Sequence, residues 1–293
     1  MPRARANGIE IEYDAFGRSD DPTLLLVMGF GAQMILWRED FCEMLAARGL
    51  RVVRFDNRDV GLSTKLDHLA APSLAEMGGA IGRGVAPAAP YLLSDMAADA
   101  VGLLDALGAA AGHVVGASMG GMIAQTIAIE HPTRVRTLVS IMSTTGAPDL
   151  PPPRPEAVAA LLAPVATERE AAVERGLAMS RALGSPGYPF DPTDERALIE
   201  RTFDRGVYPA GVARQLAAVL AAGSRREKLA SVRAPTLVVH GAADPIIPVE
   251  CGRDTASAIP GARLLEIEGM GHDLPRALWP TIVDAIAKHA AVA

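Results

Sequence analysis

The sequence predicts an α/β protein with a mainly parallel sheet and helices on both of its faces. Short β-type runs alternate with longer runs at helical spacing along most of the 293 residues. Two of the short runs, TLLLVMG (23–29) and LRVVRFD (50–56), are continuously apolar, as strands buried on both faces are. One section, residues 146–230, contains only helical patterns. Such alternation with a single interruption implies a parallel sheet covered by helices and carrying a helical insertion.

The remaining strands are predicted from shorter patterns. Residues 8–17, GIEIEYDAFG, alternate apolar and polar side chains, which is typical of an antiparallel edge hairpin. Further strands are expected at HVVGAS (113–118), VRTLVSIMS (135–143), PTLVVHG (235–241) and RLLEIEG (263–269).

Helices are expected in the intervals between strands. Their predicted ranges are 34–49, 94–108, 119–131, a segment near 249–259 and a segment near 275–290. Gly49 is the predicted C-cap of the first helix, and Ser94 is the predicted N-cap of the second. The Gly/Ala/Pro-rich segment 73–90 is predicted to be a mobile loop.

The helical insertion sets the predicted domain organisation. It opens with GAPDLPPPRPE and includes the turn-like stretch GSPGYPFDPTD (184–194). We expect it to be a cap, or lid, that sits over the sheet and not an independent domain. The predicted core is therefore residues 1–145 together with 231–293, and the predicted cap is residues 146–230.

Composition excludes several classes of function. The net charge of −6 comes without any basic run, which argues against nucleic acid as a partner. Cys42 and Cys251 lie far apart with no CxxC or Cys/His spacing, so we expect no metal site and no disulfide framework. The N-terminal residues lack the apolar centre of a signal peptide, and no apolar run approaches the roughly 18 residues of a membrane span. We expect a cytoplasmic protein that binds a small molecule and not a membrane; a homo-oligomer stays possible.

The stretch GHVVGASMGGMIAQ (112–125) places one serine, Ser118, among small residues between a predicted strand and a predicted helix. Glycine allows a backbone to turn sharply at little steric cost. The pentapeptide GASMG matches G-x-S-x-G in the strand–turn–helix context that makes this motif meaningful. Ser118 is therefore the candidate nucleophile, provided that the chain supplies a base and an orienting acid.

Six histidines compete for the role of base. His272 follows the strand RLLEIEG in the short loop GMGHDL, at the carboxyl edge of the sheet where the Ser118 turn also lies. Ligands and catalytic groups gather at that edge in open α/β sheets. His240 ends a strand and is expected to be a packed residue. His272 is the candidate base; the other four, His68, His113, His131 and His289, lie in less suitable places.

Asp244 is the candidate acid. It follows the strand 235–241 in HGAADPIIP, on the same edge as the other two residues. Asp273 adjoins His272, so its side chain is expected to diverge from the imidazole. A structural role for Asp244 as a turn residue remains the alternative. The order Ser, Asp, His agrees with that of hydrolases with a nucleophile on a sharp turn.

Two backbone N–H groups are candidates for an oxyanion hole. One is that of Met119, directly after Ser118 at the start of a helix, where spare N–H groups favour negative charge. The other is that of Phe30, in the glycine-containing loop VMGFGAQ (27–33) after the first buried strand.

With these motifs in order, the chain resembles the α/β-hydrolase superfamily from end to end. The motifs are MGFG, FDNRDVGLS (55–63), GASMGG, HGAADPIIP and EGMGHDLP. Within this superfamily, the chain looks most similar to aclacinomycin methylesterases and related small carboxylesterases. The motifs that carry this similarity are LLLVMG, DNRDVGLST, GYPFD and GMGHDLP. The resemblance implies an eight-stranded sheet and no cofactor. It also implies that Ser118 is the nucleophile, His272 the base and Asp244 the acid, and that the N–H groups of Phe30 and Met119 form the oxyanion hole. One departure is Met28, where many members carry histidine.

Asp56 and Arg58 in FDNRDVGLS are expected to form a salt-linked turn that supports the loop, in preference to a catalytic pair.

The implied chemistry is hydrolysis of a carboxylic ester through an acyl-serine, without metal or organic cofactor. We expect an uncharged ester, such as a methyl ester of a bulky apolar acid, in a pocket under the cap. Met122, Met142 and Met179 are candidates for its lining, with ordinary core packing as the alternative. A C–C hydrolase, a lactonase or a cofactor-free perhydrolase would use the same three residues. A ligand-binding protein with vestigial hydrolysis is a further alternative.

Overall fold

The computed structural model describes residues 2–292, which form one eight-stranded sheet flanked by helices. The strands are β1 (Arg3–Ala6), β2 (Ile9–Phe16), β3 (Thr23–Val27), β4 (Arg51–Phe55), β5 (Gly112–Ala117), β6 (Val135–Ile141), β7 (Thr236–Gly241) and β8 (Arg263–Ile267). Their order in the sheet is β1-β2-β4-β3-β5-β6-β7-β8. All neighbours from β4 to β8 are parallel, whereas β2 runs antiparallel to both β1 and β4. The predicted fold class is confirmed.

The helices occupy the connections between strands. They are α1 (Glu39–Ala46), α2 (Leu74–Gly82), α3 (Leu93–Ala106), α4 (Met119–Glu130), α5 (Pro155–Leu161), α6 (Arg169–Leu183), α7 (Pro192–Arg205), α8 (Pro209–Ala221), α9 (Arg226–Leu229), α10 (Val249–Ala258) and α11 (Trp279–Ala290). Short 3₁₀ turns are found at Met34–Leu36, Pro132–Arg134 and Arg276–Leu278.

The core consists of two apolar layers, one on each face of the sheet. Successive side chains of a strand point to opposite faces, so Val114 of β5 packs in one layer and Val115 in the other. Residues of α3, α4 and α10 contribute to the first layer, and residues of α1 and α11 to the second. Cys251 belongs to the first layer and Cys42 to the second, so the sheet separates these two buried free thiols.

The N-terminal hairpin lies at the edge of the sheet, but its first strand begins before the predicted stretch. Strand β1 pairs with β2 in a register that sets Ala6 opposite Ile9. The two residues between them, Asn7 and Gly8, have φ values of 47° and 81°. Positive φ at both positions is the requirement of a tight two-residue hairpin turn, which Asn-Gly meets well.

The predicted single helix over residues 34–49 is wrong, because the chain forms a 3₁₀ turn and then the shorter helix α1. Side chains of β4 and of the loop after it form hydrogen bonds with main-chain groups of the 3₁₀ turn and of the residue that follows it. The Met34 N–H donates to Asp56 Oδ1 over 2.7 Å, and the Trp37 carbonyl accepts from Arg54 Nη1. The predicted C-cap, Gly49, is also wrong: the C-cap of α1 is Ala47, and Gly49 lies two residues further on with φ of 78°.

Two further local predictions are also wrong. Segment 73–90 contains helix α2, which begins with a capping box in which Ser73 and Glu76 satisfy each other's backbone N–H groups. Ser94 is not an N-cap, since α3 begins at Leu93 and the Asp95 carboxylate accepts the Leu92 N–H over 2.8 Å. Local hydrogen-bonding side chains therefore decided both helix starts.

Between β6 and β7 the described chain forms helices α5 to α9 and contains no strand. Helix α9 contacts α4 and α10. Just before it, Arg225 is buried and donates to Gln125 Oε1 of α4 over 3.1 Å. None of the helices within residues 2–292 combines the length and apolar character needed to cross a bilayer.

Candidate active site

Ser118 forms the sharp turn between β5 and α4. Its φ of 56° and ψ of −122° lie outside the regions that L-residues ordinarily adopt, at a cost of roughly 1–3 kcal/mol. The Ser118 N–H donates to the Ile141 carbonyl over 2.9 Å, and its carbonyl accepts the Ser143 hydroxyl over 2.8 Å. Hydrogen bonds from β6 and the residues after it therefore hold this strained backbone in place.

Close backbone approach explains the glycines around the serine. A Cβ at Gly116 would lie 2.0 Å from the Gly120 carbonyl oxygen, and one at Gly120 would lie 2.1 Å from the Val27 carbonyl oxygen. Any larger residue would push β5, α4 and the end of β3 apart. The turn is thus packed directly against the strand that leads into the predicted oxyanion loop.

The side chains of Ser118, His272 and Asp244 form a continuous hydrogen-bonded chain. His272 Nε2 lies 3.0 Å from Ser118 Oγ, and His272 Nδ1 lies 2.7 Å from Asp244 Oδ2. A carboxylate at Nδ1 favours the tautomer with its proton there, which leaves Nε2 free to accept the serine proton. The geometry required of nucleophile, base and acid is therefore present.

Asp244 is fixed by its own turn. Its side chain is fully buried, and Oδ1 accepts the backbone N–H groups of Ile246 and Ile247 over 2.9 and 2.8 Å. These bonds satisfy one carboxylate oxygen and aim the other at His272. The turn-forming role and the orienting geometry therefore coexist in the same side chain.

The loop that carries His272 is hydrogen-bonded to the end of α6 and the residues after it. The His272 N–H donates to the Leu183 carbonyl over 2.7 Å, and the Gly271 N–H donates to Ser185 Oγ over 2.8 Å. The Asp273 carboxyl accepts the Ser185 hydroxyl, and burial raises the pKa of this carboxyl. Asp273 thus contacts the insertion while the His272 imidazole contacts Asp244.

Other histidines have structural contacts. His240 Nε2 donates to the Ile247 carbonyl over 2.8 Å, and burial lowers the pKa of this imidazole. His113 pairs with Thr137, and His289 donates to the Pro235 carbonyl over 3.0 Å. The expectation that His240 is a packed strand-end residue is confirmed.

Residues 28–34 form a loop, called the oxyanion loop after its predicted role, that lies against Ser118. A Cβ on Gly29 would be 3.2 Å from Ser118 Cβ. The Met28 carbonyl accepts from Asn57 Nδ2 over 2.9 Å, so the loop after β4 holds the start of the oxyanion loop in place. Phe30 follows Gly29 in this loop, and Met119 follows Ser118 as the first residue of α4, so each candidate donor is the next residue after one side of this contact.

A cavity of about 210 Å³ lies between the oxyanion loop and helices α5 to α8. Most of its lining is apolar and includes Phe30, Leu198, Ile199 and Met179. Of the three predicted lining methionines, only Met179 is found there.

The other two methionines are buried elsewhere. Met122 packs in the layer of α3 and α4, and Met142 packs in the layer on the opposite face of the sheet. A binding role for these two stays a prediction.

Asp56 and Arg58 do not form the expected salt link to each other. Asp56 pairs with Arg205 of α7, and Arg58 pairs with Asp99 of α3 over 2.6 Å. Burial raises the pKa of Asp56 in spite of its hydrogen bonds and of Arg205. The loop is scaffolding, as expected, but it joins separate helices and is not a self-contained turn.

Sequence patterns did not reveal the side chains of α8 that dock on these loops. Arg214 and Gln215 are almost completely buried, and Gln215 Oε1 accepts the Gly31 N–H over 2.9 Å. The available signal was a polar pair in the otherwise apolar helix PAGVARQLAAVLA (209–221). Buried polar groups require partners, so such a pair indicates contacts with another segment.

Comparison with known proteins agrees with this fold. Residues 22–275 match the family of the alpha/beta hydrolase fold. The rhodomycin D methylesterase DauP of Streptomyces sp. (strain C5) is 31% identical, over 94% of this chain and 93% of its own. The rhodomycin D methylesterase DnrP of Streptomyces peucetius is 30% identical, over 99% and 98%. The enol-lactonase of Burkholderia xenovorans LB400 superposes with a TM-score of 0.75 at 23% identity, covering 99% of this chain and 100% of its own, which shows a shared fold.

The chain therefore belongs to the α/β-hydrolase family, as its motifs indicate. Within that family its relatives include methylesterases that it matches over nearly its whole length. The resemblance to the α/β-hydrolase superfamily and the closer similarity to methylesterases, both stated from the sequence, are confirmed.

Proposed function

We propose that this protein is a serine carboxylesterase in which Ser118 is the nucleophile, His272 the general base and Asp244 the orienting acid. One observation carries the proposal: His272 lies within hydrogen-bond distance of both Ser118 Oγ and Asp244 Oδ2, at 3.0 and 2.7 Å. Membership of a family that includes esterases supports the same chemistry.

In the first half of the reaction, Ser118 Oγ attacks the ester carbonyl carbon while His272 Nε2 takes the hydroxyl proton. The carbonyl oxygen becomes an oxyanion, which the backbone N–H groups of Phe30 and Met119 stabilise. Collapse of this tetrahedral intermediate breaks the bond to the alcohol oxygen. His272 returns the proton to that oxygen, so the alcohol leaves and an acyl-serine remains.

The second half repeats these steps with water. His272 takes a proton from water, and the resulting hydroxide attacks the acyl carbon. The oxyanion forms in the same hole, and its collapse releases the carboxylic acid as His272 reprotonates Ser118 Oγ. The Asp244 carboxylate orients the imidazole and stabilises the imidazolium in both halves.

We propose that residues 146–230 act as a cap and that the cavity beneath it binds the acid portion of the substrate. The apolar lining, with Phe30, Met179 and Leu198 among its members, favours an uncharged and bulky group. The similarity to rhodomycin D methylesterases supports a methyl ester as the scissile group.

The test begins with purified wild-type protein and Ser118→Ala on a panel of p-nitrophenyl esters, methyl esters of aromatic and aliphatic acids, and lactones. We expect multiple turnover of esters by the wild type and a loss of at least about 10³-fold in the variant. A fluorophosphonate should label the wild type once per chain, at Ser118, and leave Ser118→Ala unlabelled.

Two results would contradict the proposal. Substantial ester hydrolysis by Ser118→Ala would remove Ser118 as the nucleophile. Faster turnover of lactones than of all open-chain esters would assign the site to a lactonase with the same residues.

A further inference from the structure

The oxyanion loop is hydrogen-bonded to the proposed cap at two points. At one of them, Gln33 Nε2 donates to the carbonyls of Thr202 and Gly206, at 2.8 and 2.9 Å, and Gln33 Oε1 accepts from Arg205 Nε at 2.8 Å. At the other, Gln215 of α8 accepts the Gly31 N–H. The second contact lies one residue after Phe30, whose N–H is the proposed oxyanion donor.

Gln215 bridges two loops of the core with the two ends of its amide. Its Oε1 accepts the Gly31 N–H over 2.9 Å, and its Nε2 donates to the Arg58 carbonyl over 2.9 Å. The side chain has no solvent exposure. Because donor and acceptor are both used, the amide has one orientation that satisfies both loops.

Helix α8 holds Gln215 rigidly. One face of α8 is buried, and its residues recur at helical spacing: Gly211, Arg214, Gln215 and Ala218. A Cβ at Gly211 would lie 2.2 Å from the Asp59 carbonyl oxygen, so the helix touches the loop after β4 directly. Arg214 forms a buried ion pair with Asp59 through Nε at 2.9 Å. Gln215 therefore projects from a helix that is docked on the core through Gly211 and Arg214.

The peptide that Gln215 contacts needs external support. Gly31 has φ of 63°, and glycine can enter or leave this region at little cost. A loop of this kind does not fix the direction of the neighbouring N–H group by itself. An oxyanion hole acts only when its donors already point at the place where negative charge develops.

We propose that Gln215 is a positioning residue for the oxyanion hole: by holding the Phe30–Gly31 peptide, it aims the Phe30 N–H at the oxyanion. This inference rests on the proposed function. It makes full esterase activity dependent on the docking of α8, because the hole is complete only when the cap helix lies against the oxyanion loop.

The proposal predicts a specific kinetic signature for Gln215→Met, which keeps the length of the side chain but cannot accept the Gly31 N–H well. Loss of a whole oxyanion donor costs about 10²–10³ in kcat, and a misdirected donor costs less. We expect kcat to fall by about 10- to 100-fold with KM within about threefold, because Gln215 is fully buried and is not among the residues that line the cavity proposed to bind the substrate.

A transition-state mimic gives the second readout. A trifluoromethyl ketone analogue of the best ester adds reversibly to Ser118 and places an oxyanion in the hole. Its affinity should fall by about the same factor as kcat, whereas affinity for the carboxylic acid product should not change. Gln215→Glu keeps an acceptor for the Gly31 N–H and should retain more of both kcat and ketone affinity than Gln215→Met.

Gln125 supplies a matched control. It is also a glutamine without solvent exposure, and it joins Ser140 of β6 to Arg225, away from the oxyanion loop. Gln125→Met should lower the unfolding temperature but leave kcat and ketone affinity within about twofold of the wild type.

The outcomes separate this inference from the proposed function. Ester turnover by Ser118→Ala would refute the assignment of Ser118 as the nucleophile. If Ser118→Ala is inactive but Gln215→Met retains the wild-type kcat, only the positioning role of Gln215 is refuted. Equal losses of kcat in Gln215→Met and Gln125→Met, or in Gln215→Met and Gln215→Glu, would also overturn it. A fall in kcat and ketone affinity confined to the Gln215 variants, and greater in Gln215→Met, supports it.

Discussion

Arg214 and Asp59 form a buried ion pair that joins helix α8 to the loop after β4. Arg214 Nε lies 2.9 Å from Asp59 Oδ2, and Nη2 lies 3.0 Å from Oδ1. Burial alone would raise the pKa of Asp59, but the hydrogen bonds from Arg214 hold this pKa below its ordinary value. The bidentate pair is therefore charged at neutral pH and fixes the helix that carries Gln215.

Removal of one partner should be strongly destabilising. Arg214→Met leaves the Asp59 carboxylate buried without its cation, so we expect the free energy of unfolding to fall by about 3–5 kcal/mol. Urea denaturation followed by circular dichroism measures this loss, and Asp59→Asn combined with Arg214→Met should recover part of it. Arg18→Ala, which breaks the exposed pair with Asp20, is the control and should change nothing measurable.

Asp244→Asn should reduce kcat far more than Asp273→Asn. In Asp244→Asn, the amide oxygen remains with the N–H groups of Ile246 and Ile247, so the NH₂ group faces His272 Nδ1. The imidazole must then carry its proton on Nε2 and cannot accept the Ser118 proton. We expect a loss of about 10⁴ in kcat, as for a wrong tautomer in a Ser-His-Asp enzyme.

Asp273→Asn is the paired measurement. Its amide oxygen can still accept the Ser185 hydroxyl, so kcat should stay within about threefold of the wild type. Steady-state kinetics on the same ester compares the two variants. A larger loss in Asp273→Asn than in Asp244→Asn would transfer the orienting role to Asp273.

The sheet and the proximity of Ser118, Asp244 and His272 could be predicted from the sequence, and the reason is geometric. The carboxyl ends of parallel strands lie at one edge, so residues that follow β5, β7 and β8 are neighbours in space. Ser118, Asp244 and His272 could be chosen because each stands in the turn or short loop that follows one of these strands. The roles assigned to them remain predictions that the variants above test.

Contacts across the insertion could not be predicted in the same way. Helical periodicity shows which face of α8 is apolar, but it does not show which loop lies opposite. The pairs Arg214–Asp59 and Arg205–Asp56 join residues about 150 positions apart, and nothing in the pattern sets their register. Likewise, the 3₁₀ turn at Met34–Leu36 depends on Asp56 and Arg54, which lie in another part of the chain.

Gly120→Ala should distort the turn at Ser118. Its new Cβ would lie 2.1 Å from the Val27 carbonyl oxygen and 2.8 Å from that of Met28. These are backbone atoms at the entry to the oxyanion loop, so relief of the clash moves that loop away from Ser118. We expect a loss of about 1–3 kcal/mol in unfolding free energy together with a clear fall in kcat.

Gly78→Ala is the matched control for that substitution. Gly78 lies within helix α2, and a Cβ there would have no atom within 4 Å. Alanine is the better helix former, so stability should rise by about 0.5–1 kcal/mol without a change in kcat. Equal thermal stability of Gly120→Ala and Gly78→Ala would contradict the packing derived for the turn.

Stability should fall as the pH drops from about 6.5 to about 4, partly through His113. Burial, with smaller effects from Arg136 and His289, lowers the pKa of His113 to about 4. In the unfolded chain the histidine pKa is about 6.5. Between about pH 6.5 and pH 4, the unfolded chain therefore binds a proton at this histidine that the folded protein does not bind. Stability is therefore complete above about pH 6.5 and is lost toward pH 4, by at most about 3 kcal/mol for this group.

His113→Gln isolates that contribution, because glutamine does not titrate and can still bond to Thr137 Oγ1, which lies 2.9 Å from the wild-type Nδ1. Urea unfolding at several values between pH 7.5 and pH 4.5 should show a wild-type free energy that falls more steeply than that of the variant. Burial also lowers the pKa of His240 and of His289, so some slope should remain in both proteins. Parallel curves would mean that His113 binds its proton equally well in the folded and unfolded chains, in conflict with its burial beside Arg136.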